Sequence, residues 1–149
     1  FEAKAKFYGS SPAMVATTPF LKDADKLGPL ASRYLNVAEL PWQETRFPGV
    51  DMKVLVEDKE SGLVTALFRF APGTQLPYHE HVEIEQTWVL EGTLEDEEGI
   101  ATPGNFVWRP AGNRHNAHSP NGCLVLSIFL KPNKFLDKDT SGWDTKGGT

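Results

Sequence analysis

Only one of the 149 residues is a cysteine, so no disulfide framework within the chain can hold this fold. Cys123 lies in the apolar run Gly122-Cys-Leu-Val-Leu-Ser-Ile-Phe-Leu130, with nothing basic beside it to lower its thiol pKa. A small buried hydrophobe is the expected role, not a catalytic thiol. Blocks of lysine or arginine are also missing, and the formal net charge is −5, so no nucleic-acid footprint is written here. No apolar stretch approaches the ~20 residues that cross a bilayer. The segment Phe1-Glu-Ala-Lys-Ala-Lys-Phe7 lacks the apolar core of a secretory signal, although the chain does not begin with Met and a trimmed leader stays open. The expected setting is the cytoplasm, with neither nucleic acid nor membrane as partner.

Turn formers, in contrast, are plentiful. Thirteen glycines and eleven prolines fall between short apolar runs, the pattern of an all-β chain with tight turns. The length fits one domain with one core. Residues 1–33 are broken by Pro12, Pro19, Gly28 and Pro29 and read as an irregular N-terminal arm, with a helical turn near Lys22 to Lys26. Such an arm must pack on something, and a neighbouring subunit is one candidate. Residues 34–132 read as the domain. Its strand candidates are Tyr34 to Val37, Met52 to Val56, Leu63 to Phe70, Thr87 to Leu90, Phe106 to Trp108, Arg114 to His118 and Cys123 to Leu130. Turns recur every 8–12 residues, the spacing of a sandwich or barrel. Residues 133–149 read as a polar tail anchored at Phe135 and Trp143.

Three of the four histidines sit in two glycine-framed patterns: Gly73-x5-His79-x-His81-x3-Glu85-x6-Gly92 and Gly104-x5-Pro110-x-Gly112-x2-His115. On a strand, His79 and His81 point to one side, and inside a barrel both rings would converge. Glu85 opens the next strand, with Thr87 and Val89 on its inward face, and His115 arrives from the second half of the chain. Three imidazoles and a carboxylate make a ligand set for one divalent transition metal, with Fe(II), Zn, Mn and Ni all compatible. Gln86 neighbours Glu85 but spoils the spacing to Gly92. Glu83 reads as a loop charge that could orient a ligand histidine, and His118 falls on the opposite face from His115. The aromatics Phe68, Phe70, Trp88, Phe106, Trp108 and Phe129 read mostly as barrel core. Tyr78, Phe106 and Trp108 are candidates for the substrate pocket. Arg69 and Arg109 could meet an anionic substrate, but an outward-facing charge is the preferred reading of both.

These two patterns resemble those of the cupin superfamily, departing only at Ser119, where an asparagine is usual. Glu39-Leu-Pro-Trp42, Phe47-Pro-Gly49, Leu67 to Gly73, Val89-Leu-Glu-Gly92 and Asp96-Glu-Glu-Gly99 are further similar to the cupin-like domain of ChrR anti-sigma factors. The diketone-cleaving dioxygenases are also similar. The resemblance implies a double-stranded β-helix, or jelly roll, commonly dimeric, with metal at the barrel mouth held by His79, His81, Glu85 and His115. It implies a dioxygenase using Fe(II) and O2 on a small dicarbonyl or enol-type compound. Those relatives use three histidines, which leaves open whether Glu85 ligates or supports. A ChrR-like sensor without catalysis and a non-redox Mn or Zn lyase or isomerase are the alternatives. This chain lacks a cysteine pair that a companion zinc domain would need, which favours the enzyme.

Overall fold

The protein is described by a computed structural model over residues 15–136 and 140–141. Its first sheet orders β1 (Gln43–Glu44), β2 (Val50–Asp58), β3 (Leu63–Phe70), β10 (Cys123–Phe129), β5 (Glu85–Gly92) and β8 (Phe106–Arg109). The second orders β12 (Thr140–Ser141), β11 (Lys134–Phe135), β4 (Thr74–Glu80), β9 (Arg114–Ser119), β6 (Leu94–Glu95) and β7 (Ile100–Ala101). Every pairing is antiparallel, and the strands of the two sheets alternate along the chain as in a jelly roll. The all-β expectation holds.

β3 and β10 are rich in branched and aromatic residues and pair along their whole length, from Cys123 opposite Phe70 to Phe129 opposite Val64. Their alternation sends Ala66, Phe68, Phe70, Val125 and Phe129 into the core. The Phe68 and Phe129 rings meet edge to face with centroids 5.8 Å apart. At the far end of β5, Gly92 has φ +69°, and a Cβ there would stand 1.9 Å from the Gly122 carbonyl oxygen. Only glycine allows that approach of β5 to the start of β10.

β4 carries the feature that aims the site. Its register against β9 slips between Leu76, opposite Ala117, and His79, opposite His115. This bulge turns residues three apart, Leu76 and His79, to the same buried face, where plain alternation would separate them. Pro77, which cannot donate to a ladder, sits inside it.

Three local expectations change. Tyr34 to Val37 is not a strand: Val37–Glu39 form a 3₁₀ turn, and the buried Lys53 ammonium donates to the Val37 carbonyl at 2.8 Å. Trp88, Phe106 and Trp108 are not core: they lie on the outer face of β5 and β8, each about half exposed. The arm is partly tied to its own domain, through the Thr17–Glu57 bridge and the Thr18 hydroxyl donating to Leu55 O at 2.6 Å. Its turn lies at Ala24–Lys26, as expected. Phe135 is fully buried, whereas Trp143 lies outside the described residues.

Candidate metal centre

His79, His81, Glu85 and His115 meet in one buried cluster whose ligand atoms all lie within 4.8 Å of one another. His79 is the penultimate residue of β4, and His81 follows the strand's end at the start of the bend that leads to β5. Glu85 is the first residue of β5, and His115 comes from β9, cross-strand from His79. Ligand bonds of roughly 2.1 Å would put the donor atoms of an octahedral ion about 3–4.2 Å apart, so little adjustment closes this set around one ion.

The tautomers are fixed by what the other ring nitrogens touch. His79 Nδ1 donates to the Pro77 carbonyl at 2.8 Å, and His115 Nδ1 donates to Asp96 Oδ2 at 3.0 Å. Neither partner can donate, so both rings present an unprotonated Nε2 to the centre. His81 Nδ1 is 2.8 Å from Glu85 Oε2, although its N–H is poorly aligned with that oxygen. His81 Nε2 lies 2.9 Å from His115 Nε2. With His115 Nε2 unprotonated, this short gap is closed either by a proton on His81 Nε2 or by a cation that bridges the two nitrogens. The donor set therefore fits a divalent metal ion.

Protonation favours the same state. Burial lowers the His79 pKa to about 4, against the opposing hydrogen bond to Pro77, and lowers that of His115 to about 3, with Arg109 adding to the effect. Burial pushes Glu85 up, but the contact and charge of His81, the Arg109 guanidinium and the Thr87 hydroxyl outweigh it and hold the carboxyl at about 2. At neutral pH the His79 and His115 rings are neutral and Glu85 is an ionised carboxylate, the forms a metal needs. Glu85 Oε1 accepts from Thr87 at 2.7 Å, and Thr87 is braced by Ser127 at 2.8 Å.

The model of the ChrR cupin-like domain matches residues 31–133. The chain belongs to that family. This cupin is also similar in fold to a candidate acetylacetone dioxygenase from Methylibium petroleiphilum PM1, at 21% identity and TM-score 0.67 over 80% of this chain and 90% of that one. An acetylacetone dioxygenase from Acinetobacter johnsonii aligns at 20% identity and TM-score 0.66, covering 76% and 86%. The anti-sigma ChrR of Rhodobacter sphaeroides, solved with SigE, aligns at 21% identity and TM-score 0.53, covering 62% and 50%. No curated protein matches.

In this cupin the remaining candidates fall as follows. Tyr78, Phe106 and Trp108 are about half exposed and do not line the cavity that His79, Glu85 and His115 share. His118 pairs with Glu95 at 3.2 Å on the surface, and Glu83 is half-buried in the bend before β5. Ser119 is buried and donates to Thr93 O at 2.6 Å, a turn role that leaves the ligands untouched. Cys123 is buried, and burial raises its thiol pKa against a hydrogen bond from Ser119, so it is not a nucleophile. Arg69 is outward, paired with Asp51 at 3.0 Å.

Arg109 corrects the sequence reading. It is buried, donates to Asp96 at 2.9 Å and sits 3.8 Å from Glu85 Oε1. Asp96 stands in the sequence only as the start of the ChrR-like acidic turn, with no role of its own assigned. Its Oδ1 caps the turn through the N–H groups of Glu98 and Gly99 at 2.8 and 3.1 Å, while Oδ2 reaches His115 and Arg109. Burial opposes ionisation of Asp96, but Arg109 and those turn N–H groups lower its pKa. Its one sequence signal was inward parity with Leu94, two residues before it.

Proposed function

We propose that this protein is a mononuclear metal-dependent dioxygenase that cleaves a small dicarbonyl or enol-type compound and uses Fe(II) as its ion. The observation that carries the reading is the buried convergence of three imidazoles and an ionised carboxylate, with His79 and His115 each oriented through Nδ1. His79, His81, Glu85 and His115 would hold the divalent ion, which would supply Lewis acidity to a bound dicarbonyl. The fold likeness to acetylacetone dioxygenases supports the choice of substrate class.

The chain's own part is positional and electrostatic. Asp96 and Pro77 keep His115 and His79 in the binding tautomer. Glu85 stays charged and offsets the ion, with Thr87 and Ser127 fixing its angle. Phe68, Phe70, Leu76 and Phe129 wall the cavity with apolar surface and keep bulk water from the reacting atoms. A sensor of the ChrR kind is the second reading, favoured by the family match.

We further propose a homodimer, with β8 at the edge of its sheet and Trp88, Phe106 and Trp108 turned outward beside it. No helix among the described residues is long and apolar enough to cross a membrane. Iron-loaded protein should consume oxygen with at least one member of a β-dicarbonyl panel and lose that uptake in His115→Ala. Uptake with none of them would overturn the oxygenase reading, and retention of zinc alone during purification would favour the sensor.

A further inference from the structure

The metal ligands do not use every polar group that faces their cavity. Arg109 is 6% exposed, and only one arm of its guanidinium is satisfied: Nη2 donates to Asp96 at 2.9 Å, while Nε and Nη1 have no hydrogen-bond partner. Glu85, at 3.8 Å from Nη1, gives charge balance without a hydrogen bond. Asn133, just before β11, is 1% exposed, and both ends of its amide, Nδ2 and Oδ1, lack a partner. Both side chains line the same cavity as His79, Glu85 and His115. Leaving a buried donor unpaired is costly, and two such residues beside one cavity are poised to pair with a ligand.

We propose that Arg109 and Asn133 form the specificity-determining part of the site and select a small monoanionic ligand, a carboxylate or an enolate. This rests on the metal centre argued above. Arg109 would hold an anionic oxygen through a charge-assisted hydrogen bond from one of its unpaired N–H groups, on Nε or Nη1. Asn133 would add one donor and one acceptor for a carbonyl or hydroxyl on the same molecule. Charge points the same way. A divalent ion with the carboxylates of Glu85 and Asp96 and the guanidinium of Arg109 leaves the buried centre with one excess positive charge. A monoanion cancels it, which lowers the cost of burying the whole assembly. The free space at the centre of the cavity is about 30 Å³. The narrow space favours a ligand of few heavy atoms, of about the size of pyruvate.

Pyruvate and pyruvamide test this, since they share shape and chelating oxygens and differ in charge. Calorimetric titration of zinc-loaded protein should give pyruvate the tighter binding. Arg109→Gln, with metal content verified by elemental analysis, should weaken pyruvate about tenfold or more and leave pyruvamide unchanged, the loss expected for a charge-assisted hydrogen bond. Asn133→Leu, close in size and outside the ligand set, should weaken both by about threefold or more through one lost hydrogen bond, with metal content intact. If Arg109→Gln does not retain metal, Asn133→Leu decides. Equal affinity for the two compounds, no pyruvate binding, or wild-type affinity in a metal-replete variant overturns this inference alone. A wild-type protein that takes up no metal overturns the proposed function with it.

Discussion

β3 with β10 and β5 with β8 belong to the same sheet and obey opposite rules. In the first pair the inward positions are Ala66, Phe68, Phe70, Val125 and Phe129, a conventional core. In the second, Glu85, Thr87 and Arg109 point inward while Trp88, Phe106 and Trp108 face out. Glu85 lies directly opposite Arg109, so the buried charges are paired by strand register. Burying charge and exposing tryptophan are each unfavourable alone. Their coincidence on two adjacent strands is what the proposed site inside and the proposed interface outside would each require, whereas β3 and β10 form the apolar core that supports both.

The sharpest way to break this contrast is to remove a ligand. His81→Ala should weaken metal binding by more than the roughly 100-fold that loss of an outer partner can cause, leaving the β circular-dichroism spectrum intact. Undiminished metal would mean that the inward polar cluster is not a ligand set. On the opposing strands, Phe68→Ala should leave metal stoichiometry unchanged and cost about 3–5 kcal/mol in urea denaturation. Next comes Asp96→Asn. It keeps the shape but can present its N–H to His115 instead of an acceptor, and metal affinity should fall about 10–100-fold in a chelator competition.

Acid should expose the same division. His79 and His115 have folded pKa values near 4 and 3, below the ordinary 6.5, so the unfolded chain binds more protons as pH falls beneath 6.5. Metal-free protein should lose stability through that window, and lose more between 4.5 and about 2 as Glu85 protonates. Flat stability between pH 7 and 4 would show that the rings are not buried as described. Smallest of all, Trp108→Lys should shift stability within about 0.5 kcal/mol and keep the metal, yet convert a dimer to a monomer in light scattering. A wild-type monomer at micromolar concentration would remove the interface from the comparison.

How far the sequence reached follows the same line. The buried cluster of His79, His81, Glu85 and His115 was legible because imidazoles two residues apart on a strand share a face, and because glycine and proline fix the turns around them. All-β architecture followed from turn spacing. The bulge at Pro77 was not legible, since nothing in an alternation rule announces an extra residue. Aromatic content suggested that Phe106 and Trp108 faced the core, but the parity of β8 is set by Arg109, which Glu85 and Asp96 draw inward. Asp96 hid in the acidic run Glu95-Asp-Glu-Glu98, where only the fold distinguishes the residue that turns in. Partners contributed by distant strands are what a single sequence reports least.

X-ray data collected on both sides of the iron absorption edge, from crystals of protein prepared with Fe(II), test the metal centre most directly. One anomalous peak per chain, roughly 2.1 Å from the Nε2 atoms of His79, His81 and His115, is the expected result. No peak there, with the His81 and His115 Nε2 atoms still in direct contact across the gap, would contradict it.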